Sequence, residues 1–481
     1  MNYSLTLACD LDGFIGIDGK IPWIAKPEYS NDLKNFRALT MDKFVIMGSK
    51  TFESLPGRKL LRGRTNIVLT NRNEIIDEVK AGGGLTFTSI KAMHEYLLIA
   101  VPKSTTMEIF VIGGIELYKS MKHLISKLYI TVIPEHSVKA PENKVTVFDE
   151  YTDKLKSGKY IVPFSNGLES NGMKFHVIPI VREDMQYLNL MKTILDSNNF
   201  LSPEKDRTQF GYYASYGKSL TFNISDGTVP LTTLRAQPYR WIVEELLWFM
   251  KGQTDNNILK NVGVSIWNGN TSKEFLKKRK LDYDEGIAGP IYGFQWRRWG
   301  AKYGDEAGGI DQLVNVIKDL YNPVTRYSRR HIISGWNVSD LDKMALPPCH
   351  VLYQFSVDGK DAIHTTFYQR SSDVALACSW NVASAATMTH IIAVLTGLTA
   401  GTVTIFIANA HVYSNHVDAV RPMLDRLPYE FPKVILNNIT PIGNTSSIET
   451  HIKKSIDSLT YSNFKLNGYF SHPEVSLVMN V

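Results

Sequence analysis

The stretch "MALPPCHVLYQF", Met344 to Phe355, sets Cys349 beside His350 and directly behind Pro347 and Pro348. Two readings are open at this point. Cysteine is a small apolar residue suited to a packed sheet, with the histidine facing the other side of the strand and the prolines forming an entry turn. Alternatively the prolines hold a reactive sulfur, whose thiolate would need nearby positive charge because a free thiol has a pKa of about 8.5. Arginines are dense nearby, in "RYSRR" at 326 to 330 and "YQRSSD" at 368 to 373. Guanidinium forks also suit phosphate oxygens, although a run of charge is commonly only a solvated face. Glu245 lies among Trp241, Ile242, Trp248 and Phe249 at helical neighbour spacings. A carboxylate on such an apolar face is either neutralised by an ion pair or tuned as an acid.

A different chemistry is written in the first third of the chain. In "KFVIMGSKTFESL" and "EIFVIGGIELYKSM" a buried strand ends in glycine and a helix follows. Glycine lets backbone approach a ligand and a helix N-terminus attracts phosphate. One such turn is common packing; two in a small domain suggest a dinucleotide site, without the GxGxxG fingerprint of a Rossmann fold.

These residues need elements to hold them. Apolar strands "SLTLACD", "KFVIMG", "TNIVLT", "EIFVIGG", "KLYITVI" and "FHVIPIV" alternate with helices up to Arg182, an α/β pattern with a mainly parallel sheet. At "VREDMQYLNLMKTILDSNN" the period becomes helical, so the boundary falls there: domains 1–182 and 183–481. In the second part "YRWIVEELLWFMKG" and "SAATMTHIIAVLTG" read as core helices, and "HIISGWNV", "VLYQFSV" and "AIHTTFYQR" as strands, an α+β mixture.

The 481 residues exceed what one core usually organises. The net charge of +6 is too weak for a nucleic-acid binder and fits small phosphorylated ligands. Three cysteines without a CxxC pair argue against a disulfide framework or a metal site and fit a reducing, cytoplasmic setting. No apolar run reaches the length of a membrane span, about 18 residues.

The order of "IGIDGKIPW", "DLKNFRALT", "VIMGSKTFESLPGR", "LRGRTNIVLT" and "FVIGGIELY" resembles dihydrofolate reductase. That resemblance implies an NADPH-dependent reduction of dihydrofolate. It puts Ile15, Gly16 and Trp23 in the loop closing over the ligands, Gly48, Ser49, Lys50, Thr51, Thr70, Gly113, Gly114 and Tyr118 on NADPH, and Ala8, Phe36 and Arg64 on the folate. Ser49 and Asn71 stand where many relatives carry basic residues for the 2'-phosphate, and Lys50 and Arg72 are expected to compensate. The pterin carboxylate is expected to be Asp32, four residues before Phe36 on one helix face and supported by Thr131. Its plain alternative is an N-cap, and counting from Trp23 points instead to Glu28.

"ELLWFMKG", "IWNGN", "GPIYGFQWR", "YSRR", "MALPPCH", "FYQRSSD", "WNVAS" and "NAHVYSNH" resemble thymidylate synthase in type and order. The resemblance implies that Cys349 attacks C6 of dUMP, that 5,10-methylenetetrahydrofolate supplies the one-carbon unit, and that dTMP and dihydrofolate leave. Glu245 would relay protons, Tyr292 assist removal of the C5 proton, Trp267 shield the intermediate and Asp373 complete the site. Arg207, Gln369, Arg370 and Ser371 would bind the nucleotide, with Arg329 and Arg330 reaching across a homodimer interface. His411 and Tyr413 would reach the ribose, and the amide of Asn381 would match O4 and N3-H of uracil. Ile287 stands where relatives have a folate-contacting Asp, and "ALACSWN" replaces a Gly-Val-Pro-Phe run, so weaker folate use is expected. Together the resemblances imply a bifunctional homodimer; the alternative is an active reductase with a degenerate synthase half serving as scaffold.

Overall fold

The first sheet is built from β1 (Asn2–Cys9), β2 (Phe44–Gly48), β3 (Thr65–Leu69), β4 (Leu85–Phe87), β5 (Glu108–Gly113), β6 (Ile125–Val132) and β7 (Lys174–Pro179). Its order is β4-β3-β2-β5-β1-β6-β7, parallel throughout except for the antiparallel β6–β7 pair. Parallel strands covered on both faces read as unbroken apolar runs. Val45, Ile46 and Met47 of β2 and Ile109, Phe110 and Val111 of β5 are accordingly fully buried. The three-residue edge strand β4 has no such run and is not anticipated from sequence.

The computed structural model describes residues 1–15, 21–23, 25–102, 107–135, 154–155, 157–305, 308–443 and 447–480. The expected ligand-loop residue Gly16 lies outside them. Contacts divide the chain into one unit of Met1–Arg182 with Asp425–Glu430 and a second of Glu183–Leu424 with Phe431–Val481.

The second unit opens on the helix Met185–Asp196. Its main strands are β8 (Phe200–Leu201), β9 (Tyr212–Asn223), β10 (His331–Ser334), β11 (His350–Val357), β12 (Ala362–Asp373) and β13 (Thr399–Tyr413). They form one sheet of order β10-β11-β12-β13-β9-β8, in which only β12–β13 is parallel. Against it pack the helix Met185–Asp196 and, itself contacted by the helix Tyr239–Met250, the helix Ser379–Thr396. The latter is buried nearly all round, and Thr387, Thr389 and Thr396 return their hydroxyls to Ala383, Ala385 and Ile392 carbonyls, so these three polar groups are not stranded. Among the described residues Val374–Thr396 alone has the length and composition of a membrane span, and most of it is buried inside the protein.

Candidate active sites

In the first unit the C-terminal ends of β1, β2 and β5 open into a cavity of about 1290 Å³. Ala8, Ile15, Trp23, Phe36, Arg64, Gly48, Ser49, Lys50, Thr51, Thr70, Gly113, Gly114 and Tyr118 all line it. The two glycine turns lead directly into the helices Ser49–Ser54 and Ile115–Met121. Gly113 has φ 147°, and a Cβ there would stand 2.8 Å from Thr51 Oγ1, so the approach of the two turns depends on its bare backbone. The cradle fits a dinucleotide: amide-rich helix starts face the cavity beside Lys50 and Thr51.

Asp32 lines the same cavity. It sits in the first turn of the helix Ser30–Thr40, whose N-cap is Tyr29, so the capping role is not its own. Burial raises the Asp32 carboxyl above the usual range, opposed by a hydrogen bond from Thr131. Glu28 belongs instead to a 3-10 turn, Pro27–Tyr29, and is exposed. That turn takes up the additional residues between Trp23 and Asp32. Arg64 donates through Nη1 to Thr40 Oγ1 at 3.3 Å, while its Nε is buried without a partner among the described residues, an unspent donor suited to a carboxylate ligand.

Arg72 departs from expectation. Its Nε donates to Glu74 at 2.7 Å and its Nη1 to Glu53 at 3.0 Å, and it is not on the cavity wall. Two carboxylates thus hold the charge expected to compensate at the 2'-phosphate, while Lys50 lines the cavity.

In the second unit Cys349 precedes β11 and is only half-buried, whereas Cys9 and Cys378 are buried thiols pushed up to about 12 by desolvation. Its loop is fixed from two sides. Arg370 donates through Nε to Pro348 O and through Nη2 to Pro347 O, both at 2.9 Å, and its backbone N–H donates to Cys349 O at 3.0 Å. The Cys349 N–H donates to the Tyr292 hydroxyl oxygen at 2.7 Å. Arg370 therefore brings its charge to the cysteine loop and spends part of its fork on the proline carbonyls. His350 is buried, pushed down to about 4, and hydrogen-bonded to Tyr353 and Asn381. It is neutral, so it positions the Asn381 amide and forms no imidazolium-thiolate pair.

Glu245 accepts from the indole Nε1 of Trp267 at 2.8 Å through one oxygen and from that of Trp380 at 2.9 Å through the other. Burial raises its carboxyl, and the two indole bonds act against that rise. Trp380 is the participant that sequence reasoning missed: 135 residues separate it from Glu245, and no local pattern predicts the bond.

Parallel pairing of β12 with β13 assembles the remaining side chains, with Ser371 opposite Asn409 and Asp373 opposite His411. Asn381 Nδ2 donates to Gln369 Oε1 at 3.3 Å. Asp373 caps Leu376 N at 3.1 Å and lies 3.4 Å from His416 Nδ1. Arg207 is exposed on a loop that Asp206 ties down by accepting from Thr208 and Gly211. Arg329 and Arg330 are exposed beside β10 and make no ion pair among the described residues. Ile287, bridged to Asp255, offers no carboxylate at its position.

Family models match the chain twice, thymidylate synthase over residues 185–481 and dihydrofolate reductase over residues 2–157. A bifunctional dihydrofolate reductase-thymidylate synthase from Paramecium tetraurelia is 33% identical over 493 residues, covering 100% of this chain and 99% of the relative. One from Zea mays is 34% identical over 531 residues, covering 100% and 97%. Thymidylate synthase 1/2 of Encephalitozoon cuniculi is 42% identical over 302 residues, spanning 61% of this chain and 96% of its own length.

Proposed function

The chain belongs to the bifunctional dihydrofolate reductase-thymidylate synthases, and on that premise we propose which residues carry its two reactions and how two copies complete the second site. The protein methylates dUMP to dTMP, generating dihydrofolate, and reduces dihydrofolate to tetrahydrofolate. Full-length similarity carries this reading, and no finding favours a degenerate synthase half. When bound, NADPH supplies the hydride for the reductase and 5,10-methylenetetrahydrofolate the one-carbon unit and hydride for the synthase.

In the reductase half, Asp32 takes the pterin edge and holds the proton that the buried carboxyl favours, with Thr131 fixing its orientation. Arg64 spends its free Nε on the folate carboxylate. The glycine turns receive NADPH. Gly113→Ala would place a Cβ against the β-branched Thr51, at a φ that L residues rarely adopt. We expect NADPH affinity to fall roughly tenfold or more, measured by equilibrium titration, with dTMP synthesis unchanged.

In the synthase half, Cys349 Sγ adds to C6 of dUMP, forming the C–S bond that makes C5 nucleophilic. Arg370 holds the cysteine loop and, with Arg207 and Ser371, faces the nucleotide phosphate. Asn381 reads the uracil edge, His411 and Tyr413 the ribose. Glu245 relays protons between the bound groups, Tyr292 assists departure of the C5 proton, Trp267 shields C5, and Asp373 holds its turn.

The homodimer uses the exposed face of the second sheet. Ile332, Tyr368 and Phe406 stand 42%, 40% and 47% exposed on three strands of that face, an apolar patch that calls for a partner. Arg329 and Arg330 are exposed just before β10, the edge strand of that sheet, and in this reading they complete the phosphate site of the other copy. Mixing inactive Cys349→Ala protein with an inactive Arg329→Ala, Arg330→Ala double variant tests this. After subunits re-assort, about a quarter of wild-type synthase activity is expected, because half the dimers are mixed and each has one complete site. Failure of exchanged mixtures to recover activity would sink the shared site. The unpaired cysteines fit a cytoplasmic protein.

A further inference from the structure

The geometry points to Trp380 as a positioning residue for the methylation: with Trp267 it clamps both carboxylate oxygens of Glu245 and fixes the orientation of the group that accepts and passes on the proton. The inference rests on the reading of Glu245 as the proton relay. Its basis is the pair of indole bonds, one to each oxygen, at 2.8 and 2.9 Å. An indole N–H can only donate and does not titrate near neutral pH, so it satisfies a carboxylate oxygen and competes with a proton for it. With a donor on each oxygen, protonation must displace or reorient one bond. The two bonds thereby offset part of the rise that burial imposes on the carboxyl.

The register of Trp380 is itself enforced. It is the second residue of the helix Ser379–Thr396, immediately after a π-helical turn, Val374–Cys378. Arg235, nearly fully buried, donates through Nη2 to Leu376 O at 2.7 Å and to Ala375 O at 3.1 Å, while Asp373 caps Leu376 N. A one-residue widening at the start of a core helix is commonly found at functional sites. Here it turns the indole toward Glu245.

The other groups around Glu245 do not substitute for these donors. Burial, with the charge of Glu245 adding to it, pushes Tyr292 and Tyr353 above the phenol range, so they stay neutral. The neighbouring His350 is neutral as well, and Glu244 on the same helix lies 3.9 Å from Arg240. Trp267 and Trp380 are the side-chain donors on the carboxylate among the described residues.

The test is the pH profile of synthase kcat/KM in Trp380→Phe, with replacement of Trp380 by 3-benzothienylalanine as the variant that keeps the indole shape and removes only the N–H. Both should move the acidic limb up by about one pH unit, the worth of one hydrogen bond to a charged acceptor. The dUMP dissociation constant should stay within about twofold and reductase turnover should be unchanged. Glu245→Gln separates the two levels of the argument. If that variant keeps its turnover, the relay reading itself falls. If it is inactive while both Trp380 replacements leave the limb in place, the clamp alone is overturned.

Discussion

Cys349→Ala is expected to lower dTMP formation by roughly four orders of magnitude or more while leaving the reduction of dihydrofolate at its wild-type rate. The size follows from the step that is lost: no other group can form the C6 bond. Cys9 and Cys378 cannot stand in, because burial holds both thiols protonated, up to about 12. Cys349 instead sits half-exposed on a loop pinned by Arg370 and Tyr292, all through backbone atoms that alanine retains. The variant should therefore fold and bind dUMP within about twofold of wild type, which equilibrium titration checks. A synthase rate within tenfold of wild type would show that the thiol is not the nucleophile.

Asp32→Asn should have the mirror effect, cutting reductase kcat/KM by about two to four orders of magnitude with the synthase untouched. Asparagine keeps the shape and the Thr131 contact but cannot hold the proton as an acid does. The linked effect on stability has a definite sign. Burial raises the Asp32 carboxyl in the folded protein, so folding favours its protonated form, and this contribution to stability is lost as pH rises through the raised pKa. At neutral pH the asparagine variant avoids that cost, and its Tm should be at least that of wild type. Glu28→Gln, on an exposed 3-10 turn, should leave the reductase near normal. Near-normal turnover in Asp32→Asn with loss in Glu28→Gln would reverse the assignment.

Much of this architecture is legible from local chemistry. Parallel strands with both faces covered must be continuously apolar, and "KFVIMG" and "EIFVIGG" say so; the helix "SAATMTHIIAVLTG", apolar all round, belongs in a core and is found there. What stays hidden depends on contacts between distant residues. Arg72 looks like a free charge beside the cofactor site until Glu53, 19 residues away, claims it. Arg370 looks like a phosphate ligand alone until its fork is found on the carbonyls of Pro347 and Pro348. Trp380 carries no signal of its bond to Glu245, since an aromatic residue at a helix start reads as packing. Counting from Trp23 points to Glu28, but a 3-10 turn lies in that spacing: it carries Glu28 exposed, while Asp32 and Phe36 both line the cavity.

The central claim is that one chain makes dihydrofolate with one site and consumes it with the other. The most direct measurement gives the purified protein dUMP, 5,10-methylenetetrahydrofolate and NADPH, and follows NADPH oxidation together with dTMP. The expected result is NADPH oxidation that requires dUMP and matches dTMP in amount, and that disappears in Cys349→Ala while added dihydrofolate is still reduced. NADPH oxidation with added dihydrofolate but none dependent on dUMP would contradict the account, leaving a reductase joined to an inactive synthase scaffold.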